Sequence, residues 1–78
     1  MDGLTEGRMC HFVMPDGQHR PAVVVRVWGN PEHCEGYVNL QVFTDGKNDG
    51  AENVEWQPSI CYDDETKAPG TWHWIERA

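Results

Sequence analysis

Apolar residues recur at every second position in several short runs, and glycine, proline, asparagine and aspartate fall between the runs. This is the pattern of short β-strands joined by tight turns, and no window shows a helical period. The runs are Arg8 to Met14, Arg20 to Trp28, Tyr37 to Thr44, Asn53 to Tyr62 and Thr71 to Arg77. Pro15-Asp16-Gly17 closes the first as a hairpin turn, and Ala68-Pro69-Gly70 precedes the last. Proline presets the first central turn position and glycine accepts positive φ.

Alternation assigns faces, because successive strand side chains point opposite ways. The second run groups Val23, Val25 and Val27. The third groups Val38, Leu40 and Val42 against Tyr37, Asn39, Gln41 and Phe43. The fourth groups Val54, Trp56, Ile60 and Tyr62 as its core face, and the fifth groups Trp72 with Trp74. Pro58 removes a ladder donor, so the fourth strand is expected at an edge, bulged or broken. The expected fold is all-β: a small, mostly antiparallel, SH3-like or similar five-stranded barrel. A single domain is expected over residues 1–78, with its core in roughly 7–77.

With only 78 residues, a lone monomer buries little surface, which makes a homo-oligomer an expectation. The longest apolar run, Ala22 to Val25, is far too short for a helical membrane span. A formal charge of −7 opposes direct binding to nucleic acid. Met1, Asp2, Gly3 and Glu6 supply neither a basic nor an apolar leader, so no secretory signal is expected. Cys10, Cys34 and Cys61 are odd in number and widely spaced. They read as small hydrophobes or inert thiols in a reducing cytoplasm rather than as a disulfide framework.

A zinc site drawn from Cys10-His11, His33-Cys34, Cys61 and His73 lacks the usual ligand spacing, so no metal and no cofactor are expected. Asp45 to Gly50 imitates a calcium loop but has Lys47 at position three and Trp56 at position twelve, which leaves a solvated hairpin loop. No nucleophile elbow, phosphate loop or dinucleotide motif is present, and no catalytic residue is assigned. Residues 45–65 hold seven carboxylates against Lys47 alone, and Asp63, Asp64 and Glu65 are the candidate contacts for a host protein partner.

The densest chemistry is aromatic. Four tryptophans stand in 78 residues, two of them in Gly70-Thr71-Trp72-His73-Trp74. Indoles fill small cores, but they also anchor interfaces and stack on bases without needing a basic protein. A ligand site of Trp28, Trp72, His73 and Trp74 with Arg26 and Arg77 for an anionic group is therefore expected.

The stretches Arg20 to Trp28, Val38 to Gly46 and Pro69 to Trp74 resemble a family of small proteins of tailed bacteriophages and prophages that end in a similar Gly-Thr-Trp-His-Trp segment. The resemblance covers roughly residues 7 to 77 and implies a small β domain, a phage accessory protein in the bacterial cytoplasm, and no transferable activity. Expected functions are, first, non-catalytic sequestration of a nucleotide-like host defence signal. The alternatives are inhibition of a host protein through the acidic loops, a virion or assembly role, and an enzyme with a site between subunits.

Overall fold

The computed structural model describes residues 1–29 and 32–76. Five strands form one antiparallel sheet: β1 (Met9–Val13), β2 (His19–Val27), β3 (Val38–Phe43), β4 (Val54–Ile60) and β5 (Trp72–His73). Their order across the sheet is β4-β3-β2-β1-β5. The β1–β2 hairpin turns as its Pro-Asp-Gly sequence requires. Gly17 sits at φ +89°, its amide donates to Met14 O at 2.8 Å, and Asp16 Oδ1 accepts from the Gln18 amide at 3.0 Å. A single 3₁₀ turn, Gly46–Asp49, lies between β3 and β4. No helix among the described residues is long and apolar enough to cross a membrane.

The sheet does not close into the expected barrel. Its two ends meet at one parallel bridge, Tyr62 with Trp72. There the Trp72 amide donates to Cys61 O at 3.1 Å and the Asp63 amide to Trp72 O at 2.9 Å. One bridge is less than a ladder, so β4 keeps an open edge.

One face of the sheet carries the core: Cys10, Phe12 and Met14 from β1 and its turn, Ala22 and Val24 from β2, Val38, Leu40 and Val42 from β3, then Ile60 and Trp72. The β3 face is as expected. The β2 face is reversed: Ala22 and Val24 are buried while Val25 is exposed, and a bulge between Val24 and Arg26 shifts the register. Both β2 faces are apolar, so alternation alone does not choose between them. In β4, Val54 and Trp56 point to solvent and Ile60 points inward. The irregularity around Pro58, with Ser59 at φ +60°, inverts the phase within that strand. Trp72 is fully buried, its indole N–H donating to Gly36 O at 2.6 Å. Tyr62 and Trp74 meet its ring edge-on, each with centroids 4.9 Å away.

The cysteines also differ from expectation. Cys34, in the β2–β3 loop, is disulfide-bonded to Cys61 at the end of β4, with Cα atoms 5.9 Å apart. Only Cys10 is a free, buried thiol, and burial pushes its pKa up to about 12. A separation of 27 residues gives no hint of the pairing, which arises because the loop folds back against the strand end. The cysteine count therefore no longer supports a reducing compartment.

Candidate metal centre

Histidines gather on the sheet face opposite the core. β1 sends Cys10 and Phe12 inward, so His11 points outward. The β1–β5 register sets His11 directly across from His73, just as it sets Phe12 across from Trp72. In the hairpin, His19 lies opposite Val13, two residues along the same face from His11. Three imidazoles from three strands thus converge, with centroids 5.6 Å apart for His11–His73, 4.7 Å for His19–His73 and 6.0 Å for His11–His19. After β5 the chain leaves the sheet, and Glu76, three residues beyond His73, closes the group.

A single carboxylate oxygen receives all three rings. Glu76 Oε1 lies 3.1 Å from His11 Nδ1, 3.0 Å from His19 Nδ1, and in close contact with His73 Nε2. The ligand atoms of the four residues all fall within 4.8 Å of one another. The hydrogen bonds from His11 and then His73 hold the Glu76 carboxyl down at about 2, so it is an anion. His73 is fully buried, and burial lowers its pKa against the opposing pull of Glu76. Metal coordination requires an anionic carboxylate and unprotonated imidazole nitrogens, and the lowered pKa values of Glu76 and His73 both run in that direction.

A carboxylate has about four lone-pair directions, roughly two per oxygen. Three ring nitrogens on one oxygen therefore exceed what that oxygen accepts well. A divalent ion between the four atoms satisfies every one of them. At Zn–N and Zn–O distances of about 2.0–2.2 Å, tetrahedral ligand atoms stand about 3.4 Å apart, so Glu76 would draw back slightly from His11 and His19 and further from His73, within a group whose ligand atoms already lie inside 4.8 Å of one another. Nitrogen donors select zinc and its transition-metal neighbours over calcium or magnesium. The sequence alone points to no metal, whereas the fold brings together four ligand-type side chains that an ion would fit. Ligand spacing in the chain pairs His11 and His73 with cysteines and does not single out His19 or Glu76. The signal for His19 is its place in the hairpin register. No spacing in the chain marks Glu76.

The residues expected to bind a ligand do not form one site. Trp72 is core and offers no face for stacking, which removes it from the expected platform. Trp74 is half-buried against Trp72, with the Arg8 guanidinium 5.0 Å from its ring. His73 belongs to the histidine cluster. Trp28 lies elsewhere, its ring covered by the Arg26 guanidinium at 4.0 Å and its N–H donating to Asn39 Oδ1 at 2.8 Å. Arg77 lies outside the described residues. Of the acidic trio, Asp63 caps its own turn by accepting from the Thr66 amide and hydroxyl, and these bonds lower its pKa. Asp64 and Glu65 are exposed, Asp64 within 3.3 Å of Lys67 Nζ. In the loop that imitates a calcium site, Asp49 is bound at both oxygens by Arg20, each at 2.7 Å, which leaves it committed to an ion pair.

Comparison of the chain with protein-family models, with curated proteins and with solved structures returns no match, so the side-chain geometry is what bears on function.

Proposed function

We propose that this protein binds one divalent transition-metal ion, zinc by preference, through His11, His19, His73 and Glu76. The convergence of three imidazoles on one carboxylate oxygen carries this reading. β1, the hairpin and β5 each contribute a histidine, so the ion ties three strands and the segment after β5 into one unit. His73 is fixed by burial. His11, His19 and Glu76 keep 24%, 30% and 44% of their side-chain surface exposed, which leaves the ion a path from solvent. Such a staple suits a chain this short, because a small core supplies only a few kcal/mol. The role is binding rather than catalysis. Native mass spectrometry of protein incubated with Zn²⁺ tests it: one ion per chain is expected, and none retained by the intact chain overturns it.

A second reading keeps the nucleotide-sequestering role expected for a phage accessory protein acting as a homo-oligomer. It is supported by a cavity of about 260 Å³ beside Trp28, lined also by Leu4, Val27 and Tyr37. The neighbouring Arg26 would meet an anionic group. Thermal-shift screening against cyclic nucleotides and ADP-ribose tests it. Stabilisation that disappears in Trp28→Ala supports it, and no shift with any of them removes it.

A further inference from the structure

A second set of metal-ligating side chains lies away from the histidine cluster. His33, Cys34 and Cys61 place their ligand atoms within 4.8 Å of one another. We propose that, once the Cys34–Cys61 bond is reduced, these three residues form a second metal site that takes a thiophilic divalent ion such as Zn²⁺ or Co²⁺. The proposal is independent of the histidine centre.

The backbone around the two sulfurs is held together without the sulfur–sulfur bond. The Tyr62 amide donates to Glu35 O at 3.1 Å, the Trp72 indole to Gly36 O at 2.6 Å, and the Trp72 amide to Cys61 O at 3.1 Å. These bonds join the residues next to Cys34 to those next to Cys61. The thiols therefore remain neighbours after reduction instead of separating with the loop. His33 packs its ring on Tyr37, centroids 4.4 Å apart, at the exposed side of the pair. Both cysteines are half-buried rather than sealed in the core, which leaves the pair open to a small reductant and an ion from that side. Cys10 takes no part, because it is sealed in the core.

The chemistry balances with a dithiol reductant. Thiol–disulfide exchange breaks the Cys34–Cys61 bond, and the dithiol gives two electrons and two protons and ends as its own disulfide. The ion then displaces the two thiol protons and is held by two thiolates and the His33 imidazole, with a fourth position for water. Two sulfurs and one nitrogen make a softer set than the histidine centre.

Co²⁺ titration of the full chain before and after phosphine reduction tests the proposal. The oxidised protein is expected to show no thiolate-to-cobalt charge-transfer band, and the reduced protein to show one together with one additional ion per chain by native mass spectrometry. The band is expected to survive Cys10→Ser and to vanish in Cys34→Ser/Cys61→Ser. His33→Ala is expected to weaken binding at least tenfold while keeping the band. His19→Ala separates the two centres: it weakens the ion bound to the oxidised protein about a hundredfold and leaves the band of the reduced protein untouched. A reduced protein without the band overturns the proposal, whether or not its strand dichroism survives. A band that depends on Cys10 overturns it equally, as does a His33→Ala affinity equal to wild type.

Discussion

Replacing His19 by alanine separates metal affinity from folding. His19 is partly exposed and lies outside the hydrophobic core, and its bond to Glu76 is one of three on that oxygen, so the metal-free variant is expected to lose no more than about 1 kcal/mol. With Zn²⁺ at a hundredfold its Kd, the wild-type gain is about 2.7 kcal/mol. Unfolding entropy of about 2.1 cal/mol/K per residue over 78 residues gives about 0.16 kcal/mol/K, so Tm rises by about 16 °C. Losing one of the four ligands is expected to weaken Kd about a hundredfold, equivalent to about 2.7 kcal/mol. At the same Zn²⁺ concentration the variant then gains only about 0.4 kcal/mol, or about 2–3 °C. Differential scanning calorimetry with chelator and with Zn²⁺ measures both shifts. Equal zinc shifts in the two proteins would show that the ion binds elsewhere, and no shift in wild type would remove the centre altogether.

Acid is expected to weaken the metal-free fold in two windows. The unfolded chain protonates His73 near 6.5 while burial resists this in the fold, so the unfolded state binds more protons and stability falls as pH drops below that value. Glu76 and Asp49, held at about 2 by their histidine and Arg20 partners, add stability that is lost as pH falls from their ordinary values of 4.5 and 3.8 toward 2. Urea midpoints that stay flat across both windows would contradict this. Reducing the disulfide in the presence of chelator releases a 27-residue loop and is expected to cost about 3.5 kcal/mol, read as a lower urea midpoint; an unchanged midpoint would show that the bond does not constrain the chain. Gly36→Ala is expected to cost about 2 kcal/mol or more by chemical denaturation, because at φ +63° an added Cβ falls 2.8 Å from Tyr62 Cβ and 2.9 Å from the Trp72 ring. Wild-type stability in that variant would mean the loop does not press on Trp72.

The strands were legible because turn residues punctuate the chain, and all five runs contain the observed elements apart from the extra His19 at the start of β2. Faces were legible only where one side is polar. β3 alternates valine and leucine with asparagine and glutamine and was read correctly, whereas β2 is valine-rich on both sides and β4 changes phase at Pro58. Closure was over-read, since the sequence shows five strands but not how many rungs join the first to the last. The histidine cluster depends on pairing register. His11 and His73 stand side by side because Phe12 and Trp72 must both reach the core, a constraint of packing and not of spacing. The acidic loops were visible as composition, but their capping duties and the Asp49–Arg20 pair follow from the turn geometry.

Fastening the two ends of the sheet at a single rung gives the molecule a clasp. β5 is otherwise held by two residue pairs to β1 and by the Val13 hydrogen bonds to Thr71 O and from Gly70. Lifting β5 off that clasp would pull Trp72 out of the core and draw His73 and Glu76 away from His11 and His19. An ion bound as proposed would span that gap directly, so added Zn²⁺ is expected to slow proteolysis of the segment after β5.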